Sequence, residues 1–274
     1  MSRSRLLEAD GFNQLAKGHK GYYLYNIHDI YVGQAIEKYG EYGGLEAQFL
    51  EQLCGPGDVV IEVGANIGAH TVGIAKRVGP TGYVLAFEPQ RLVFQNLCAN
   101  IALNSLTNVE CHWAAVGTTQ GFVTVPELDF NQRNNFGGLS LLNVQQGRRV
   151  PCVRLDDFLG LPRVRLIKID VEGMESNVIT GGKQLIAKCK PFLYVENDRV
   201  DNSENLMRLI ASLGYRMYWH TPALFNPNNY YGEEENIYNG IGSFNMFCVH
   251  RDTQMAIRGA QEITDFSFHP LQRS

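Results

Sequence analysis

The sequence predicts an α/β fold: a mostly parallel, Rossmann-like sheet with helices on both faces, plus a β-hairpin insertion. Three observations carry this. Short apolar runs rich in β-branched residues, VVIEVG (59–64), GYVLAFEP (82–89) and VRLIKIDVEG (164–173), read as strands buried on both faces. Stretches of helical apolar spacing separate them, and strand–helix alternation implies parallel pairing through crossover helices. Glycines or acids follow each strand, at the carboxyl ends where such sheets bind their ligands.

The elements follow in order. A short strand is expected around Tyr22–Ile27, then helical spacing from Gly33 to Leu53 (Ile36, Leu45, Phe49, Leu50, Leu53) and a turn at Gly55-Pro56-Gly57-Asp58. After the 59–64 strand and a glycine turn, an amphipathic helix is expected over Ile67–Val78. The 82–89 strand precedes a helix over 90–103, and NVECHWAAVG (108–117) reads as a third strand. Residues 118–155 break the alternation: GFVTVPEL and RRVPCVRLDDF carry strand character around a loop-like NNFGGLSLL, so this is read as the hairpin insertion. The 164–173 strand, a helix over Met174–Lys188, a strand at 191–198 and a helix over Asn202–Leu213 resume the pattern. Asp201, Asn202 and Ser203 are candidate caps for that last helix. Tyr215–His220 and Phe244–His250 are the final strands, around a loop rich in Asn, Pro and Tyr.

Length and composition bound the rest. At 274 residues the chain can bury a core without disulfide or metal staples, and 45% hydrophobic against 19% charged residues excludes disorder as the main state. The reading is one domain: an N-terminal cover (1–54), a core (55–250) with the insertion near 118–155, and a tail (251–274). A net charge of −4 without a basic block excludes a phosphate-tracking nucleic-acid binder. No apolar run approaches the ~18 residues of a membrane span, and MSRSRLLEADGFNQ lacks the apolar region of a leader, so a cytoplasmic protein is expected. The six cysteines are scattered without a CxxC pair, which fits reduced, buried thiols and no zinc site.

Three constellations carry chemistry. In Glu62-Val63-Gly64-Ala65-Asn66-Ile67-Gly68 the glycines allow a sharp turn and close backbone approach to a ligand, although any tight strand–helix turn also wants glycine. Glu88 closes the next strand, where a carboxylate can hold a ribose diol. The dinucleotide fingerprint G-x-G-x-x-G fails, because Asn66 and Ala69 replace its second and third glycines and no Tyr-x-x-x-Lys pair accompanies it. A ligand without pyrophosphate does not need them, and Glu62 suits an ammonium group. Both points favour S-adenosylmethionine over NAD.

The runs VVIEVGANIGAHT, AFEP, AAVG, RLDDF and LIKIDVEGMESNVITGG, in this order over roughly residues 55–200, resemble the FkbM-type methyltransferases. The resemblance implies a class I methyltransferase fold and transfer of methyl from S-adenosylmethionine, usually to oxygen. It implies a cofactor set of Glu62, Gly64, Asn66, Gly68 and Glu88, with Trp113, Ala114 and Ala115 bordering the adenine.

The second constellation is Lys168-Ile169-Asp170-Val171-Glu172-Gly173-Met174-Glu175. Strand alternation aligns Lys168, Asp170 and Glu172, and two acids at a strand end are costly to bury without partners. Asp170 is the first candidate for the base that takes the acceptor's proton and Glu172 the second. Helix capping or pairing with Lys168 would be the ordinary alternative, and Glu175 suits a helix N-terminus. The third, Glu196-Asn197-Asp198-Arg199, ends the adjacent strand, with Glu196 in the catalytic set. Asp170 with Glu196 and Asn197 is an all-oxygen set that could hold Mg2+, direct base action or a structural role being the alternatives. Asn197, His220 and Asn135 are acceptor candidates. His70, Tyr42 and Glu46 could lie over the donor.

The function expected is therefore S-adenosylmethionine-dependent O-methylation of a hydroxyl on a small molecule or glycan by direct displacement. A nicotinamide-dependent oxidoreductase and a non-catalytic cofactor-binding scaffold are the competing readings.

Overall fold

A computed structural model describes residues 7, 11–142, 144–255, 257 and 259–273. Most of the N-terminal run read for a leader lies outside the described residues. The strands are β1 (Asn13–Lys17), β2 (Tyr22–Asn26), β3 (Val59–Val63), β4 (Tyr83–Phe87), β5 (Val109–His112), β6 (Ala115–Val116), β7 (Gly121–Val125), β8 (Arg148–Val153), β9 (Leu166–Ile169), β10 (Phe192–Glu196), β11 (Tyr215–His220) and β12 (Asn245–His250). The helices are α1 (Val32–Tyr39), α2 (Gly44–Leu53), α3 (Thr71–Val78), α4 (Arg91–Leu103), α5 (Glu175–Thr180), α6 (Lys183–Cys189) and α7 (Val200–Ser212).

Seven strands form the central sheet in the order β11-β12-β10-β9-β3-β4-β5. Neighbours from β10 to β5 pair in parallel, and β12 runs antiparallel to both β10 and β11. This is the class I, Rossmann-like arrangement the alternation predicts. The inner strands β3, β4, β9 and β10 are buried almost throughout, because helices cover both faces. Ile61, Leu85, Ile167 and Leu193 pack against α5, α6 and α7. Their neighbours in the chain, Val60, Val84, Leu166 and Phe192, pack against α2 and α3. The chain leaves β3 towards β4 and β5 on one side, and β9 leads to β10 on the other. The crevice for ligands therefore opens between β3 and β9.

Five boundaries depart from the sequence reading. The helical spacing from Gly33 to Leu53 holds two helices, separated at Gly40–Gly43 where both glycines have left-handed φ. The helix expected from Ile67 begins at Thr71. The 108–117 strand is two strands in different sheets: β5 closes the main sheet, while β6 joins β7 and β8 in a three-stranded sheet. The Met174–Lys188 helix breaks at Gly181, where a Cβ would stand 2.0 Å from the Gly117 carbonyl oxygen, so the insertion's base presses on this turn. The last helix starts at Val200, ahead of the proposed caps, and makes no side-chain cap. The 118–155 insertion is the expected antiparallel pair, β7 with β8, around a long loop. No described helix is long and apolar enough to cross a membrane.

Candidate active site

A cavity of about 330 Å3 opens at the carboxyl ends of β3, β4, β9 and β10. Its lining includes Glu62, Gly64, Ala65, Asn66 and Glu88 on one side and Asp170, Glu172, Glu196 and Asp198 on the other. It thus has two acidic halves, each made of residues at strand ends.

In the first half, Glu88 leaves the end of β4 and is almost wholly buried. Its carboxylate accepts from the Asn66 amide at 3.0 Å and the Gln90 amide at 2.8 Å, tying the turn after β3 to the start of α4. Burial raises its pKa to about 7, the two amides opposing. Glu62 faces Lys168 in register across β3 and β9, so both side chains leave the same sheet face. Glu62 is buried and accepts the Thr71 hydroxyl at 2.6 Å; burial lifts it to about 7 against the pull of Lys168. Asn66 has φ 51°, a conformation asparagine tolerates, and its own side chain caps the Ile67 amide at 2.7 Å. At Gly64 (φ 84°) a Cβ would sit 1.8 Å from the Asp170 carbonyl oxygen. The glycine is therefore needed by the protein's own backbone, where β3 and β9 end side by side, and not for ligand clearance alone.

The second half is organised by Lys168. Its ammonium is buried and lies 2.9 Å from Asp170 Oδ2. Burial opposes that charge, but Asp170, Glu62 and Glu46 together hold the lysine's pKa above its ordinary value. Burial likewise works against ionised Asp170, yet the lysine dominates and holds the carboxyl below its ordinary range. Glu196 is pushed the other way, first by burial and then by the charges of Asp170, Glu172 and Asp198, well above the carboxylate range. Its Oε2 is buried and lacks a protein partner. Glu172 (φ 55°) pairs with Arg199, and burial plus Asp170 raise it to about 7. Carboxylate oxygens of Asp170, Glu172 and Glu196 fall within 4.8 Å of one another, close enough to share a proton or a divalent cation.

The N-terminal cover completes the floor. Glu46 of α2 is buried, raised to about 7 by burial, and lies 3.8 Å from His70 Nε2. Burial lowers His70 to about 3, so it is neutral near pH 7. Tyr42 and Asn135, the latter from the insertion loop, also line the cavity.

Four proposed residues stand outside this lining. Trp113 turns its indole to donate to the Pro89 carbonyl at 2.8 Å, leaving Ala114, Ala115 and Val116 as the wall on that side. Gly68 faces Leu97 from the far side of its turn. Asn197 is buried against Ser203 Oγ at 2.8 Å, and His220 pairs with the Tyr194 hydroxyl at 2.8 Å and stacks on Phe49. Conversely, Gln90, Tyr31, Leu224 and Ile241 line the cavity without having been singled out. Only Gln90 carried a signal, its place two residues beyond Glu88.

Residues 62–217 match the family described as the methyltransferase FkbM domain. "Methyltransferase 1" of Beauveria bassiana is 29% identical over 143 residues, covering 44% of this chain and 57% of that protein. "2-O-methyltransferase NoeI" of Sinorhizobium fredii is 25% identical over 188 residues, covering 61% and 74%. The chain thus spans little more than half of the first of these relatives. Among solved structures, a methyltransferase FkbM from Methylobacillus flagellatus aligns with TM-score 0.48 at 17% identity, over 69% of this chain and 43% of that one.

Proposed function

The chain belongs to the FkbM methyltransferase domain family, and from that premise we propose that it transfers methyl from S-adenosylmethionine to a hydroxyl oxygen of a small molecule or glycan. The observation that carries this reading is the single cavity in which two buried carboxylates, Glu62 and Glu88, face a second acid cluster around Asp170. The first pair matches the charge and hydrogen-bonding pattern of the donor: an ammonium group for Glu62 and a ribose diol for Glu88, beside the turn of Gly64–Asn66. Ala114, Ala115 and Val116 offer the small apolar wall an adenine needs. When bound, the donor supplies a methyl group activated on a sulfonium.

Asp170 then faces the acceptor. Held ionised by Lys168, it would accept the proton that the acceptor hydroxyl gives up on taking the methyl group that a donor held by Glu62 and Glu88 would supply. Glu172 and Glu196 hold the acceptor in line, since reacting atoms must approach to roughly 3 Å. Protonated Glu196 can donate to an acceptor oxygen, a role consistent with its raised pKa.

A second version of this site favours the same residues as ligands of Mg2+, on the strength of the three-carboxylate spacing and the unpartnered Glu196 oxygen. The ion would lower the hydroxyl's pKa in place of a base.

Calorimetry with S-adenosylhomocysteine, followed by assay of homocysteine nucleoside release with candidate hydroxyl acceptors, tests the proposal. Binding of NAD in place of S-adenosylhomocysteine would overturn it. EDTA inactivation reversed by Mg2+ would select the metal version, and full activity in EDTA the base version.

A further inference from the structure

We infer that His269 is a positioning residue for the acid half of the site: it holds the backbone that carries Asp198 and Arg199, from a segment outside the residues that match the family. The methyltransferase reading gives those acids their use, and to that extent the inference rests on it. After β12 the chain follows the edge of the sheet and returns to the strand ends. Tyr218 and Glu262 form an antiparallel bridge, the Ile263 amide donates to the Met217 carbonyl at 2.8 Å, and the Ile263 side chain enters the core. Phe266 packs against that core and lies under the Arg208 guanidinium of α7. His269 follows, 1% exposed, its ring T-shaped against Trp219 with centroids 5.0 Å apart. Leu271, just beyond it, is part of the cavity lining. The family match ends at residue 217, so it does not account for this strap.

Both ring nitrogens of His269 are engaged, each with a different part of the site. Nδ1 accepts the Leu271 amide at 3.1 Å, so Nε2 carries the proton and donates it to the Asn197 carbonyl at 2.8 Å. That carbonyl needs the donor. The pairing of β10 with β12 ends at Glu196 opposite Asn245, and the Asn197 amide makes a last link to the Phe244 carbonyl at 2.7 Å. Asn197 is buried, and a buried carbonyl past the end of a ladder is costly to leave without a partner. The Asn197 side chain is already taken up by Ser203 Oγ and Met246 Sδ. His269 therefore fixes the peptide unit between Asn197 and Asp198. Asp198 lines the cavity, and Arg199 beside it pairs with Glu172. Glu172 (φ 55°) and Gly173 (φ 103°) form a turn beyond the end of β9, and the Arg199 pair ties that turn to the end of β10. The contacts run unbroken from His269 through Asn197 and Arg199 to Glu172.

The test uses the full chain with S-adenosylhomocysteine bound, read by amide hydrogen exchange in three variants. His269→Gln keeps an N–H at the reach of Nε2 but loses the acceptor at Nδ1. His269→Asn does the reverse, and His269→Ala loses both. Exchange at the Asn197 amide, and at the Gly173 amide that Glu175 accepts at 2.9 Å, should quicken at least about tenfold in Asn and Ala and stay within about twofold of wild type in Gln. The Leu271 amide should show the crossed pattern, faster in Gln and Ala and near wild type in Asn. The Asn66 amide on the donor side should not respond, and S-adenosylhomocysteine affinity should hold within about twofold in all three. A histidine that only fills space would move Asn197 and Leu271 together. Equal effects of Gln and Asn at Asn197, an unchanged Gly173 in Ala, or donor affinity lost along with the exchange protection would overturn the inference. Those results on a protein that binds S-adenosylhomocysteine sink this inference alone. Failure of the wild type to bind it sinks the methyltransferase reading, and exchange in the free protein still decides what His269 holds.

Discussion

The α-carbon of Gly64 lies so close to the backbone of Asp170 that a Cβ on it would stand 1.8 Å from the Asp170 carbonyl oxygen. One glycine therefore sets the spacing between the donor turn after β3 and the acid that follows β9. Gly64→Ala must force the two strand ends apart and also hold alanine at a φ of 84°. We expect a loss of about 2–4 kcal/mol of stability and of measurable S-adenosylhomocysteine binding. Gly68→Ala carries the same strain at φ 82° but should cost less, since its Cβ would meet the end of the Leu97 side chain at 2.8 Å and not a backbone oxygen at 1.8 Å. Chemical denaturation of the two variants gives the order. Equal stabilities would show that the β3–β9 contact yields without cost.

In the proposed reaction Lys168 has the structural duty and Asp170 the chemical one. Removing the lysine leaves Glu46, Glu62 and Asp170 around a buried gap without the cation that neutralises them. Lys168→Met should cost about 3–5 kcal/mol, the penalty of breaking a buried pair. Asp170→Asn keeps an oxygen for the lysine at 2.9 Å and leaves the hydrogen bonds of Glu62 and Glu88 in place. It should leave donor affinity within about threefold and reduce turnover roughly 100-fold or more. Single-turnover kinetics beside calorimetry separates the two effects, and an Asn variant with normal turnover would remove Asp170 from the chemistry.

How much of this was legible in the sequence depends on periodicity. Glu62, Glu88, Asp170 and Glu196 could be placed because each ends a short apolar run, and a parallel sheet brings such ends together. Trp113 misled for the same reason. NVECHWAAVG looks like one continuous strand, but the Ala114 amide turns back to the His112 carbonyl at 2.9 Å and carries the chain into the second sheet. Asn197 and His220 sit at strand ends too, yet both side chains point into neighbouring helices or rings, an orientation that composition does not encode. The lining residues Leu139, Leu224 and Ile241 were invisible because their loops have no repeat. Their meeting depends on tertiary packing alone.

Glu88 gives a prediction that separates loop order from ligand contact. Its two oxygens already hold the Asn66 and Gln90 amides. Glu88→Ala should therefore do more than remove a ribose partner, because it also releases the turn that carries Asn66. Glu88→Gln retains one carbonyl oxygen and part of that anchoring. Donor-analogue affinity should fall in the order wild type, Gln, Ala, with the Ala variant weaker by at least about tenfold. Faster amide hydrogen exchange at Asn66 and Ile67 in Glu88→Ala, but not in Glu88→Gln, would identify the anchoring component. Unchanged exchange in both would assign the whole loss to ligand contact.

The raised carboxyls make stability and donor binding respond oppositely to pH. Glu46, Glu62 and Glu88 each rise from an ordinary 4.5 to about 7, chiefly through burial. Between those values the folded chain binds more protons than the unfolded chain. Their contribution to stability is thus fully present below about 4.5 and is lost as pH rises through about 7. The Lys168–Asp170 pair works in the opposite sense but only at lower pH, because Asp170 titrates below its ordinary 3.8. The melting temperature of the free protein should accordingly be higher near pH 5.5 than near pH 8. A bound ammonium beside Glu62 favours the ionised carboxylate, so the stabilisation given by S-adenosylhomocysteine should grow over the same interval. Glu62→Gln should remove most of that growth while keeping an oxygen for the Thr71 hydroxyl, which Glu62 now accepts at 2.6 Å. Thermal melts at several pH values, with and without the ligand, read both trends at once. A ligand-induced shift that is flat with pH in the wild-type protein would show that Glu62 does not meet the ammonium group.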